Sequence, residues 1–413
     1  MRQIFIYILF VFSIVLHAGE PIRIGVISDT HYLSEKLMDD GYAMQDYLLN
    51  SGKNIKDVPA VLDKVLNDYL NSNIQILLIS GDMTKDGEKQ SHIDLVAKLK
   101  PLQEKGIKVF VIPGNHDINM PNAVEFKGNK RVPVPNVSVQ EFTDIYSDCG
   151  YKDALRRDTA SLSYVTELSN HTWLLAIDAA RYKEYKTSSI SGGKISGPTE
   201  NWITNILTEA KEKNIQVIGM MHWGLTEHIM YQSSFFKDYL VDDWQRLANL
   251  FADGGMKAIF TGHFHSNDIS AFTSDKGNTI YDIETGTLSA YPFSYRFVEL
   301  DDKGMDIKTQ NITSIPQNIN LAQEDKARMQ ILSQKQAKQK LSGLGYNFPD
   351  STLTDMSNVL SQIFVLHAYG DEKVDDDLKQ AMERLSTQLE TPIDIDEIEL
   401  DFPPADNNVK IIF

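Results

Sequence analysis

Lys108-Val109-Phe110-Val111-Ile112-Pro113-Gly114-Asn115-His116-Asp117 runs from an apolar, β-prone stretch directly into a cluster of polar metal-ligand residue types. The first five residues read as a buried strand, which Pro113-Gly114 ends. Ligand-type side chains just past the carboxyl end of a strand stand where open α/β sheets bind their ligands. Working outward, the same construction recurs. Asp29-Thr30-His31 follows a strand over Ile22–Ile27, and Gly81-Asp82 one over Ile74–Ser80. His222 follows Ile215–Met220, and Gly262-His263-Phe264-His265 follows Ala258–Thr261.

Taken singly these pieces carry little. Asp-x-His and Gly-Asp are commonplace, and a lone histidine after a strand is more often a hydrogen-bonded core residue than a ligand. Gly-His-Phe-His says more, because its alternating imidazoles can face two neighbouring cations. Five histidines, three aspartates and one asparagine placed in this order at strand ends point to a metal site of imidazole and hard oxygen ligands.

Between the strands lie helical periods. Val58–Leu70 sets Val58, Val61, Leu62, Val65, Leu66 and Tyr69 on one face, and Ile93, Val96, Leu99 and Leu102 repeat the pattern. Pro198–Ala210 and Phe236–Phe251 read as two more helices. Strands return over Thr279–Ile283, Tyr295–Leu300 and Met305–Asn311. Beyond Pro316 three polar or mixed helices are expected, at Leu321–Leu341, Ser351–Tyr369 and Glu372–Leu389. The division is therefore a leader at 1–19, an α/β domain at 20–315 and a helical C-terminal extension at 316–413, through which the chain could form an oligomer. Trp223, Thr226 and His228 fit an exposed loop, with pocket lining as the alternative. Tyr291 and Arg296 either contact substrate or serve packing and ion pairing, and His92 and His171 read as structural.

Of 413 residues, 42% are hydrophobic, enough for a substantial core and against global disorder. Lys and Arg number 40 against 57 Asp and Glu, a net charge of −17 that disfavours a nucleic-acid coat protein. A phosphorylated ligand would need the field inverted locally. Arg2 followed by the apolar run Ile4–Leu16 and then Ala18-Gly19 reads as a secretory signal peptide. The run falls short of the roughly 20 residues of a membrane span, an uncleaved anchor being the alternative. The expectation is a secreted protein, periplasmic or extracellular and bacterial, with no transmembrane span once the signal is removed. Cys149 is the only cysteine, so the chain has no internal disulfide.

The motifs DTH, GD, GNHD, H and GHFH together resemble the calcineurin-like metallophosphoesterase superfamily over roughly Ile22 to Ile312. The run Gly81-Asp82-Met83-Thr84-Lys85-Asp86-Gly87 and the segment from Gly192-Gly193-Lys194-Ile195 to Trp202 resemble its cyclic-nucleotide phosphodiesterase-like branch. The resemblance implies a four-layer α-β-β-α sandwich of two mixed sheets. It implies two divalent or mixed-valence transition metal ions, with iron, manganese or zinc foremost. Asp29, His31, Asp82 and His265 would hold one; Asp82, Asn115, His222 and His263 the other. Two such ions, two carboxylates and a bridging hydroxide leave a net positive site, which a phosphate can enter. It further implies attack on phosphorus by that hydroxide, with His116 as general acid and Asp117 orienting its imidazole. A phosphodiester small-molecule substrate is the first expectation. A phosphomonoester, a nucleotide or a phospholipid headgroup is the alternative, and a catalytically silent metal-binding scaffold the third reading. Because Met83-Thr84-Lys85 follows Asp82, the tyrosine ligand of purple acid phosphatases is not placed, and no charge-transfer iron site is expected.

Overall fold

The computed structural model describes residues 20–413 apart from 344, 346, 347, 389–394, 396, 397 and 399. The leader expected at 1–19 lies outside the described residues, as does part of the tail helix expected to run to Leu389. The strands in chain order are β1 (Ile22–Ile27), β2 (Ile76–Ile79), β3 (Lys108–Val111), β4 (Val124–Lys127), β5 (Lys130–Pro133), β6 (Arg156–Arg157), β7 (Tyr164–Ser169) and β8 (Thr172–Ile177). They continue with β9 (Gln216–Met221), β10 (Met256–Thr261), β11 (Asp268–Thr273), β12 (Thr279–Glu284), β13 (Ser294–Leu300), β14 (Gly304–Asn311) and β15 (Asn408–Ile412). The α-helices are α1 (Tyr42–Asn50), α2 (Val58–Leu70), α3 (Lys89–Glu104), α4 (Val139–Ile145), α5 (Gly197–Glu212), α6 (Gln232–Phe235), α7 (Trp244–Asp253), α8 (Leu321–Gly343), α9 (Asp350–Tyr369) and α10 (Asp376–Ser386).

Two mixed sheets face each other. The first has the order β15-β14-β13-β1-β2-β3, with β1, β2 and β3 parallel. The second has the order β11-β12-β10-β9-β8-β7-β6, with β8, β9, β10 and β12 parallel. Alternation along the second sheet fixes the layers, since successive side chains of a strand point to opposite faces. Leu174, Ala176, Ile218, Met220, Ala258 and Phe260 join the core between the sheets. Their neighbours Trp173, Leu175, Ile177, Val217, Met221 and Ile259 face outward, against Ile203, Ile206 and Leu207 of α5 and Leu247 and Phe251 of α7. Helix α2, opened by Pro59 in its first turn, buries its apolar stripe on the first sheet. The result is the expected four-layer sandwich.

One expectation needs correction. The helix expected over Phe236–Phe251 is broken: a 3-10 turn at Lys237–Tyr239 is followed by Leu240 and Val241, which bridge to Gly224 and Gly193. Asp243, at φ 60°, then starts α7. The bridges capture two apolar residues that helical spacing had claimed. The extension carries the three expected helices and adds a strand. Helices α9 and α10 share a small core of Val359, Leu378, Ala381, Met382 and Leu385. The chain then returns as β15, antiparallel to β14, and completes the edge of the first sheet. Among the described residues no helix is long and apolar enough to cross a membrane.

In β15 Ile411 is buried while Ile412 is 72% exposed. Ile411→Ala is expected to cost about 2–4 kcal/mol, and Ile412→Ala less than about 0.5 kcal/mol. Chemical denaturation of both variants measures the difference.

Candidate metal centre

Each predicted ligand sits where a strand ends, and the backbone turns sharply to put it there. Asp29, His31, Asp82, His263 and His265 all have left-handed backbone, with φ of 49°, 43°, 45°, 74° and 68°. Asp and His tolerate this region better than bulkier residues do. The loops then press together so tightly that glycine is required: a Cβ on Gly114 would fall on Oδ1 of Asp82, and one on Gly262 on Oγ of Ser28.

Two groups of side chains close on a common centre. Asp29, His31 and His265 form one, and Asp82, His222 and His263 the other, each with ligand atoms within 4.8 Å of one another. Oδ2 of Asp82 lies 3.3 Å from Nε2 of His222 and 3.7 Å from Nε2 of His31, so this carboxylate faces both groups. Oδ1 of Asp29 lies 3.1 Å from Nε2 of His265 and 3.6 Å from Nε2 of His31. All but His265 are buried, and its side chain is 24% exposed.

The outer atoms of these groups are already engaged, which aims the inner ones. Nδ1 of His222 donates to the Ser80 carbonyl at 2.8 Å, and Nε2 of His263 donates to the Asp238 carbonyl at 3.1 Å. Oδ2 of Asp29 accepts from Ser28 Oγ and from the His263 N–H, at 2.5 and 2.9 Å. Oδ1 of Asp82 accepts the His116 N–H at 2.8 Å. Asp29 Oδ1, Asn115 Oδ1 and His222 Nε2 are left buried without a hydrogen-bond partner. An unsatisfied buried polar atom costs about 1–3 kcal/mol, and cations coordinated by these atoms would remove that cost. The donor set of carboxylate and amide oxygens with imidazole nitrogens therefore fits a pair of transition metal ions.

Electrostatics prepare the same atoms. Burial disfavours charge on Asp29 and Asp82, but His222 and the other nearby imidazoles hold both carboxyls well below the usual range. Burial, reinforced by His222, pushes His263 down to about 3. Burial and the Lys53 ammonium push His31 well below its ordinary value. His222 moves up to about 9, because Asp82 and Asp29 outweigh its burial. Ionised carboxylates and neutral imidazoles are the forms that coordinate metal, so Asp29, Asp82, His31 and His263 stand ready, whereas a cation has to displace the proton that Asp82 and Asp29 favour on His222.

His116 and Asp117 do not act as the pair expected from the sequence. Nδ1 of His116 lies 2.8 Å from Oδ1 of Asp86, so Asp86 orients the imidazole. Asp117 points into the protein: Oδ2 accepts from the Gly114 N–H and Oδ1 from the N–H and hydroxyl of Thr84. It ties the loop after β3 to the loop after β2. Burial and the Asp82 charge raise its carboxyl to about 6. Asp86 is also bonded to buried Lys85.

Lys53 is the other group missed by sequence reasoning. From the loop between α1 and α2 its Nζ comes within 3.1 Å of His31 Nδ1 and 3.3 Å of His116 Nε2. Its short polar loop carries no motif, whereas Asp86 lay inside the quoted run after Asp82. Trp223, Thr226 and His228, expected on an exposed loop, are buried. Arg296 is buried as well and spends its guanidinium on Thr309 Oγ1 and on the carbonyls of Glu284 and Asp406. Tyr291 stacks on Tyr369. His92 is held between Tyr146 OH and the Asp117 carbonyl.

The profile of the calcineurin-like phosphoesterase family matches residues 22–267. A probable cyclic nucleotide phosphodiesterase of Vesicomyosocius okutanii subsp. Calyptogena okutanii is 36% identical over 91 residues, which cover 22% of this chain and 31% of that protein. A second, from Ruthia magnifica subsp. Calyptogena magnifica, is 45% identical over 58 residues, 14% of this chain and 24% of that one. The matched stretches thus span less than a third of either relative. A dimetal phosphatase from Danio rerio shares the fold at 12% identity, with a TM-score of 0.50 over 71% of this chain and 96% of that one.

Gly114→Ala tests the geometry directly. The added methyl displaces Asp82, so the variant is expected to keep its far-UV circular dichroism but retain fewer than two metal ions per chain by elemental analysis.

Proposed function

The chain belongs to the calcineurin-like phosphoesterase family, and from that premise we propose that it is an exported, metal-dependent hydrolase of phosphoric esters acting on phosphodiesters. The observation that carries this reading is the meeting of two ligand groups at the Asp82 carboxylate. In the proposed assignment Asp29, His31, Asp82 and His265 hold one ion, and Asp82, Asn115, His222 and His263 hold the second. Two ions there would supply positive charge to the phosphoryl oxygens and activate water near neutral pH.

The chain's own groups do the rest. Asp86 fixes Nδ1 of His116, which leaves Nε2 to carry a proton to the departing oxygen. His116 is partly exposed, with 22% of its side chain accessible, so a substrate can reach it. Lys53, beside that same nitrogen, is placed to attract an anionic ester group. Diester preference is supported by the names of the two relatives and by the run Gly81–Gly87. Export is supported by the apolar leader Ile4–Leu16.

With manganese added, the chain is expected to hydrolyse bis(p-nitrophenyl) phosphate, and Asp82→Ala to abolish turnover. A panel of monoesters, cyclic nucleotides and phospholipid headgroups tests the substrate class; faster turnover of monoesters overturns the diester assignment. His116→Ala is expected to lower kcat about 100- to 10,000-fold on esters with poor leaving groups, and far less on p-nitrophenyl esters, whose leaving group needs no proton. Asp86→Asn should follow His116→Ala in this contrast. Asp117→Asn should instead lower the melting temperature and affect both ester types alike.

A further inference from the structure

A second cluster of unpaired ligand atoms lies behind the loop that carries His263 and His265. Asp268, the first residue of β11, gives Oδ1 to Nδ1 of His228 at 2.7 Å, while its buried Oδ2 makes no hydrogen bond and lies 3.5 Å from Nδ1 of His367. Glu372, in the loop after α9, gives Oε1 to Nδ1 of His367 at 2.6 Å and keeps Oε2 buried without a hydrogen-bond partner. Both residues are buried. Oδ1 of Asp401 and the amide oxygen of Asn407 are likewise unpartnered. Asp268, His367 and Glu372 bring ligand atoms within 4.8 Å of one another, and so do Asp371, Asp401 and Asp406.

Among the described residues carboxyls outnumber cations here: Asp268, Asp282, Glu284, Asp371, Glu372, Asp401 and Asp406 face Arg296 and the imidazoles of His228 and His367, both of which these carboxylates push up despite burial. Arg296, the buried guanidinium nearby, is committed to two backbone carbonyls and a hydroxyl. His228 faces Asp282 and Glu284 as well as Asp268. Lys373 is exposed, and the sequence from 389 to 400 contains no lysine or arginine. Burial and crowding among Glu372, Asp268 and Asp371 push Asp401 up to about 7; burial and Asp268 push Asp406 up to about 9.

We propose that this cluster binds one divalent cation of the calcium class, held by Asp268, Glu372 and Asp401 with the amide oxygen of Asn407. The free donors are carboxylate and amide oxygens, the set that calcium takes in numbers and that magnesium, which keeps its own water, uses less. Asp406 and Asp371 shape the cage. Asp406 accepts the Ile269 and Asp371 N–H groups at 2.8 and 2.6 Å, and Asp371 accepts the Asp406 N–H at 2.9 Å. The cation would fasten the end of α9 and the segment before β15 to β11. Phe264, between the two ligand histidines in sequence, packs its ring 5.2 Å from that of His367, so the clamp braces the metal loop from behind.

The test uses the full chain, stripped with chelator and then given stoichiometric manganese. Equilibrium dialysis is expected to find one calcium per chain, and calcium at a hundred times its Kd to raise the melting temperature by about 5 °C. In Asp401→Asn with Glu372→Gln the bound calcium and the shift both vanish. Should the double variant fold poorly, Asp401→Asn alone, at a partly exposed side chain, is read the same way. Parent protein that binds no calcium, or variants that bind as much as the parent, overturn the proposal and leave the histidines to neutralise the cluster. Neither readout depends on ester hydrolysis.

Discussion

Strand ends forced into left-handed backbone are the constraint on which this molecule rests. Five ligand residues carry that conformation, at a cost on the order of 1–3 kcal/mol each. It persists only because the surroundings leave no alternative. The His222 ring is bonded to Ser80 across the seam between the sheets, Ser80 Oγ reaches the Thr261 carbonyl, and Asp29 accepts the His263 N–H. The same contacts that join the two sheets therefore hold the predicted ligands in strained positions. Stability of the sandwich and readiness of the site are a single arrangement.

This explains what could be read from the sequence and what could not. The strand ends were legible because their polar residues interrupt short buried runs, so Asp29, His31, Asp82, Asn115, His222, His263 and His265 could be placed just past strands that the fold then ends there. Which carboxylate serves His116 was not legible, since Asp86 and Asp117 are both near it in sequence or motif. The choice is made by Thr84 and Gly114, whose N–H groups capture Asp117. Lys53 comes from a loop with no pattern, and its approach to His31 exists only once α1 and α2 are folded. Helical spacing misled at Phe236–Phe251 because Leu240 and Val241 satisfy a strand bridge as well as a helix face.

The C-terminal extension is tied to the α/β domain through more than helix packing. Tyr291 donates its N–H to Asp325 of α8 at 2.7 Å, and Arg328 pairs with the same aspartate and bonds the Leu48 carbonyl. Asn267 donates to the Ala368 carbonyl at 3.4 Å. These links run from the extension to the segments on either side of the metal ligands, although the extension contributes none of those ligands.

The position of β15 bears on the order in which the chain acquires its shape. β14 can pair with β13 across a tight turn, but its other edge waits for a partner that follows only after α8, α9 and α10. Contacts so distant in sequence form late, because closing the intervening loop must come first. Until then β14 presents open backbone groups, the template on which a second nascent chain could add a strand. Once β15 is in place the sheet ends instead on a strand of five residues carrying exposed Lys410, a shorter edge than the eight residues of β14 and one that a lysine blunts.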